Sequence, residues 1–185
     1  AMEHHGWKWW KKQEPDVGQF GIELVDIWHF ALSSVIEGCD GNHEAAANII
    51  IEGMGSEYAA NGIVFDKTYH EFAKMDTLAR VELMIGLAVM RRFSFPLFAT
   101  IMGDVGMSWD ELHAGYIAKN VLNFFRQDNG YKSGSYIKHW DHYEDNVVLF
   151  EIVDKMDSSA PSFADDLYVA LGKRYAQVLT LNGRL

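Results

Sequence analysis

Apolar residues recur along most of the chain at the three- and four-residue spacing of helices, whereas the alternation typical of strands is scarce. Pro15 and Asp16 can begin the first long helix, because an aspartate side chain accepts hydrogen bonds from the first free backbone amides. Ser108 and Glu111 have the spacing of a capping box, and Gly130 to Gly134 form a glycine-punctuated loop. The predicted helices are Val17–Ile36, Glu44–Met54, Lys67–Lys74, Leu78–Arg92, Pro96–Met102, Ser108–Gln127, Asp145–Met156 and Phe163–Leu181. The predicted fold class is all-α.

Length and composition indicate a folded intracellular protein. The 185 residues suffice for a single domain with a real core, and 49% of them are hydrophobic. One cysteine, Cys39, argues against a disulfide scaffold and fits a reducing compartment. No apolar run is long enough for a membrane span, and the start of the chain lacks the apolar core of a signal peptide. We therefore expect a cytoplasmic protein with no membrane partner.

The charge of the chain restricts its partners. A formal net charge of −10 weighs against broad nucleic-acid binding, which requires a basic face. A small polyphosphate substrate remains compatible with this charge. Its phosphates would have to meet a local basic cluster, bound divalent cations, or both.

The first predicted helix carries a polar stripe on an otherwise apolar surface, which predicts that the helix is buried. Gln19, Glu23, Asp26 and Ser33 form this stripe, and Glu23 and Asp26 share one face because they are three residues apart. Two neighbouring carboxylates in a core must either take up protons or hold a cation, and Mg²⁺ prefers such oxygen ligands. The alternatives are a solvated stripe, or one that caps polar groups of a neighbouring helix.

A second polar face lies on the Ser108–Gln127 helix. Lys119, Asn123 and Arg126 follow one another at helical spacing, and Lys132 and Lys138 come soon afterwards. An ammonium, an amide and a guanidinium on one face suit several phosphate oxygens. The alternative is that the cations are solvated or paired with nearby carboxylates, namely Asp128, Glu144 and Asp145.

A pair of histidines follows this region. His139 and His142 have the spacing of a zinc pair, but no cysteine or second histidine pair accompanies them. We therefore do not expect a structural zinc site. The sequence also contains no His-Glu-x-x-His motif and no Walker-type phosphate loop.

Three blocks in this order resemble the dimeric dUTPases, which belong to the all-α NTP pyrophosphatase superfamily together with MazG-like enzymes. The blocks are Trp7–Lys12, Ile22–Phe30 and Ala118–Asn146. The last contains Lys-Asn-Val-Leu-Asn-x-Phe-Arg-Gln, Gly-Tyr-Lys-x-Gly and Glu-Asp-Asn. The segment from Gly38 to Gly106 matches only loosely. The resemblance implies a helical bundle in one domain over residues 1–185, and a homodimer.

The resemblance also implies an activity and a set of site residues. Family members hydrolyse dUTP, and usually dUDP, to dUMP, with Mg²⁺ held by two helical carboxylate pairs. Glu23 and Asp26 match the second pair, as catalytic and metal-binding residues. The residues at family positions for deoxyribose or phosphate contacts are Lys119, Asn123, Arg126, Tyr131, Lys138 and Asp145. Those near the nucleotide pocket are Trp10, His29, Lys132 and Asn146.

The chain departs from the family pattern at its start. The first carboxylate pair and the helix that reads uracil would both precede residue 1, so we expect an N-terminally truncated member with weak or no activity. An enzyme of the same superfamily that prefers dCTP or a modified nucleotide is one alternative. A non-catalytic helical dimer that binds nucleotides, or nothing, is the other.

Overall fold

The computed structural model describes residues 1–6, 10, 14–55 and 61–183. Within these ranges the chain forms seven α-helices and two small antiparallel hairpins, so the all-α prediction is confirmed. The helices are α1 (Val17–Gly38), α2 (His43–Gly55), α3 (Thr77–Val89), α4 (Phe95–Asp104), α5 (Trp109–Asp128), α6 (Asp145–Val153) and α7 (Phe163–Leu181). The strands are β1 (Gly62–Phe65), β2 (Thr68–Glu71), β3 (His139–Trp140) and β4 (Tyr143–Glu144). Most of the Trp7–Lys12 block lies outside the described residues.

Residues 1–108 form one compact unit and residues 109–185 form another. The first unit contains α1 to α4 with the β1–β2 hairpin, and the second contains α5 to α7 with the β3–β4 hairpin. One domain over residues 1–185 stays a prediction. None of the helices in the described ranges has the length and apolar character needed to cross a membrane.

Helix α1 begins where the sequence predicts and buries one side only. The Asp16 carboxylate accepts a hydrogen bond from the amide of Gln19 at 2.9 Å, which caps the first turn. Its buried side includes Phe20, Leu24 and Val25, whereas the Phe30 side chain is 77% exposed. The prediction that this helix is buried all round is therefore wrong. Some apolar residues of this helix, such as Phe30, therefore lie on the surface.

The segment predicted as a helix from Lys67 to Lys74 is instead a β-hairpin followed by a short 3₁₀ turn, Phe72–Lys74. Asp66 and Lys67 form its two-residue turn with φ of 47° and 61°, the left-handed values that a type I′ turn requires. The pattern failed because the strands have only four residues each and the turn lacks the usual Asn-Gly or Asp-Gly pair.

Other helix boundaries differ by a few residues. Helix α3 ends at Val89 rather than Arg92, and α4 runs from Phe95 to Asp104, slightly longer than predicted. Helix α6 ends at Val153 rather than Met156, and the β3–β4 hairpin before it was not predicted. Helix α7 has the predicted bounds.

The second unit is built around aromatic rings. The Phe125 ring on α5 makes edge contacts with four others, those of Tyr136, Trp140, Tyr168 and Tyr175. Trp140 is fully buried in the β3–β4 hairpin, and its indole N–H donates to the carbonyl of Ile137 at 2.9 Å. These contacts fix the course of the chain between α5 and α6, where several predicted site residues lie.

Candidate functional site

The carboxylate pair lies on α1 in the first unit. Glu23 Oε1 accepts a hydrogen bond from Gln19 Nε2 at 3.1 Å, and His4 Nε2 lies 3.9 Å from the same oxygen. The Glu23 side chain is 36% exposed, and Asp26 on the same helix face is partly buried. Both carboxylates therefore keep contact with water instead of lying in the core as predicted.

The Glu23–Asp26 pair has the ligand chemistry that a hard divalent cation prefers, but it is not part of a larger cluster of ligands among the described residues. Mg²⁺ in proteins commonly takes one or two carboxylates and completes its shell with waters and substrate phosphates, which suits two partly hydrated carboxylates. Among the residues that the structure describes, no group of three or more His, Cys, Asp or Glu side chains could hold a metal.

Two residues of the first unit, His29 and Trp10, are predicted to lie near a nucleotide pocket. His29 lies one turn after Val25 on α1, and its Nδ1 is 3.1 Å from the Val25 carbonyl oxygen. Trp10 is well exposed in a turn near the start of the chain. Their roles at a nucleotide pocket stay predictions.

The centre of the second unit's site is an ion pair between Arg126 and Asp145. Arg126 Nε donates to Asp145 Oδ2 at 2.8 Å, and Arg126 Nη2 donates to Asp145 Oδ1 at 2.7 Å. This is the two-pronged geometry in which a guanidinium binds a carboxylate most strongly. Asp145 is 0% exposed, so its negative charge requires such a partner. Pairing of Arg126 with Asp145 was one of the alternatives for this face.

One amide, that of Asn146, connects this pair to Lys119, which is only 5% exposed. Asn146 Oδ1 accepts from Lys119 Nζ at 3.1 Å and from Arg126 Nη2 at 3.3 Å. Asn123 Oδ1 accepts from Arg126 Nη1 at 3.2 Å. Hydrogen bonds thus bring together Lys119, Asn123, Arg126 and Asn146, and the binding of a ligand by these residues stays a prediction.

Tyr136 is a member of this cluster that the sequence did not reveal. Its hydroxyl donates to Asp145 Oδ2 at 2.8 Å, and its ring stacks on Tyr175 with centroids 5.0 Å apart. Nothing in residue spacing links Tyr136 to Asp145, because the segment between them contains a hairpin. The concentration of aromatic residues after Gly130 was the available signal.

The protonation of the cluster follows from its burial and its charges. Burial raises the pKa of Tyr136, and the negative charge and hydrogen bond of Asp145 raise it further. Burial by itself lowers the pKa of Arg126, but the hydrogen bond and charge of Asp145 outweigh it, and this pKa is raised. At neutral pH, Tyr136 is therefore a neutral phenol whose hydroxyl donates a hydrogen bond, and Arg126 is a cation.

The remaining predicted residues lie at the edge of the cluster or on the surface. The Tyr131 ring centroid is 5.9 Å from the Arg126 guanidinium carbon, a cation–π distance. Lys138 Nζ lies 3.2 Å from Glu144 Oε2 in an exposed ion pair, and Lys132 is exposed. Contacts of Lys132 and Lys138 with a nucleotide stay predictions.

Comparison with known proteins identifies the family. A family model described as dUTPase matches residues 1–131, which is well over half of the chain. No curated protein matches. The matched segment contains Glu23, Asp26, Lys119 and Arg126, whereas Asp145 lies beyond it. The chain belongs to the all-α dimeric dUTPase family.

Proposed function

We propose that this protein hydrolyses dUTP, and also dUDP, to dUMP, with Mg²⁺ as its cofactor. The observation that carries the proposal is the family match, because it spans both the carboxylates of α1 and the Lys119–Arg126 face of α5. The buried cluster around Arg126 adds support from geometry, since its donors are of the kinds that bind phosphate oxygens.

The residues that would hold the cation are Glu23 and Asp26. Bound Mg²⁺ supplies charge neutralisation on phosphate oxygens and a lowered pKa for a coordinated water. The chain's own contribution is to keep Glu23 oriented, because Gln19 Nε2 fixes one of its carboxylate oxygens. Their partial exposure also leaves room for water at the carboxylates.

Lys119 and Arg126 would stabilise negative charge on the phosphates. Their positions are set before any ligand arrives, because Asn146 accepts hydrogen bonds from both cations. Donors held in place in a partly dry environment stabilise developing charge better than water does. Hydrolysis of a phosphoanhydride by an activated water requires no covalent nucleophile from the protein.

A homodimer is the proposed functional form, as the family name implies. Helix α1 offers surface for such an association, because Phe30 is largely exposed. Sedimentation velocity over a range of concentrations would test it, and a monomer at every concentration would contradict it.

The activity is tested by measuring pyrophosphate release from dUTP with Mg²⁺, with an excess of EDTA as the control. We expect weak Mg²⁺-dependent release from dUTP that still exceeds release from dCTP, dTTP and UTP. Preference for dCTP or a modified nucleotide would replace the proposed substrate but keep the reaction. Absence of turnover together with absence of Mg²⁺-dependent binding of a non-hydrolysable dUTP analogue would exclude the enzyme and leave a structural dimer.

A further inference from the structure

Most of the hydrogen-bonding capacity of Arg126 is already used inside the protein. A guanidinium has five N–H donors. Four hydrogen bonds engage Arg126, two with Asp145 and one each with Asn123 and Asn146. Within the described residues, one N–H on Nη1 is left for a phosphate oxygen. The direction of that N–H depends on how Asp145 holds the guanidinium plane.

Asp145 cannot be reached by a ligand in this structure, because its side chain is 0% exposed. Both of its oxygens accept from Arg126, and Oδ2 also accepts from the Tyr136 hydroxyl. Any influence of Asp145 on a bound nucleotide therefore passes through Arg126.

Tyr136 is itself held by its neighbours rather than by a ligand. Its ring stacks on Tyr175 at an interplanar angle of 23° and meets the edge of Phe125. The Tyr175 hydroxyl in turn accepts from the amide of Ile137 at 2.9 Å, the residue next to Tyr136. The position of the Tyr136 hydroxyl is thus fixed by the aromatic core.

We propose that Tyr136 is a positioning residue, which fixes the Asp145 carboxylate so that Arg126 presents its remaining N–H to the phosphates. This inference rests on the proposed function, since it concerns the phosphate-binding side of that site. Without the hydroxyl, Asp145 Oδ2 loses one of its donors and the ion pair can rotate. The hydrogen bonds from Arg126 and Lys119 to Asn146 Oδ1 are then no longer held in a fixed geometry. Both cations lose their fixed orientation towards the phosphates.

The direct test replaces Tyr136 with Phe, which removes the hydroxyl and keeps the ring. Tyr168→Phe is the matched control, because Tyr168 also contacts Phe125 and donates to a carboxylate, Asp128 Oδ2 at 2.7 Å, but at the surface. The Kd of inorganic triphosphate is measured by calorimetry on the full chain. The Tyr136 hydroxyl acts on the triphosphate only through Asp145 and Arg126, so only part of the energy of its hydrogen bond to a charged group affects binding. We therefore expect Tyr136→Phe to weaken binding about three- to tenfold, and Tyr168→Phe less than about twofold.

A double-mutant comparison separates positioning from general damage to the fold. In an Arg126→Lys background the two-pronged pair is absent, so adding Tyr136→Phe should change the Kd by less than about twofold. Equal weakening in both backgrounds, or no weakening in either, would overturn the proposal. If the wild-type chain binds no triphosphate, the phosphate site of the proposed function fails and this inference fails with it.

Proton exchange at Arg126 Nε gives a readout that requires no ligand. In a chain with ¹⁵N-labelled arginine, we expect this proton to exchange faster with water in Tyr136→Phe than in the wild type. Its rate should be unchanged in Tyr168→Phe. An unchanged rate in Tyr136→Phe would show that the hydroxyl does not restrain the ion pair, and would overturn the proposal even if binding changed.

Discussion

The two charged regions of this protein are built in opposite ways. On α1, Glu23 has one amide donor and keeps over a third of its surface in contact with solvent. Around α5, the Asp145 carboxylate is fully buried and receives three hydrogen bonds from Arg126 and Tyr136. Water can solvate a partly exposed carboxylate pair without any bound cation, whereas a buried charge needs an opposite charge or hydrogen bonds from the protein. The role proposed for the first region depends on a bound cation, whereas the charges of the second region are paired within the folded chain.

The largest expected effect tests the buried pair. Arg126→Met leaves the Asp145 charge buried without its counter-ion, so we expect the free energy of unfolding to fall by about 3 kcal/mol or more. Arg174→Met is the control, since its partner Asp141 is about one third exposed. Because exposed ion pairs contribute little, this variant should lose less than about 1 kcal/mol. Urea denaturation measures both, and equal losses would contradict the comparison.

The second prediction concerns the carboxylates of α1. Glu23→Gln removes one of two charges that would hold the cation, so Mg²⁺ affinity should fall by at least about tenfold. The free energy of unfolding without Mg²⁺ should change by less than about 0.5 kcal/mol, because the Glu23 side chain is partly exposed and accepts one hydrogen bond, from Gln19. Calorimetric titration and urea denaturation measure the two quantities.

Glu37→Gln is the matched control for this change, because Glu37 is an exposed glutamate near the end of the same helix. It should leave Mg²⁺ affinity unaltered. If Glu23→Gln behaved like Glu37→Gln, Glu23 would not be a metal ligand. If it instead unfolded the chain, the two regions would not differ in the way described.

The smallest effect is a dependence on alkaline pH. Tyr136 has a raised pKa in the folded chain, from an ordinary value near 10. Its contribution to stability is therefore fully present below pH 10 and is lost as the pH rises towards the folded-state value. Tyr136→Phe should show a shallower loss of stability above pH 10 than the wild type, in urea denaturation at several pH values. Parallel curves would argue against the burial of a neutral Tyr136 beside Asp145.

The sequence was sufficient for features set by local periodicity. Helices α1, α5 and α7 lie close to their predicted bounds, and Lys119, Asn123 and Arg126 share a face as their spacing requires. The pairing of Arg126 with Asp145 was one of several options that spacing left open. Which partner Arg126 takes depends on the path of the chain between them.

Tertiary packing decided the features that the sequence did not indicate. The β1–β2 hairpin replaced a predicted helix because two left-handed residues at Asp66 and Lys67 reverse the chain. Tyr136 joined Asp145 because Phe125 and Tyr175 hold its ring in place. The exposure of Phe30 depends on which helix face the neighbours cover, which periodicity does not specify. The roles of Glu23 and Asp26 at a cation stay predictions.

The positions of Arg126 and Asp145 in their own helices have a further consequence. Arg126 lies in the last turn of α5 and Asp145 in the first turn of α6. Peptide dipoles make a helix end negative at its C-terminus and positive at its N-terminus, so each charge is also favoured by its own backbone. Exchanging the two residues, as Arg126→Asp with Asp145→Arg, would keep two opposite charges at these positions. Each charge would then lie at a helix end of the same sign, which is unfavourable. The stability of the pair therefore depends on which helix end carries each charge, and not only on the presence of the two charges.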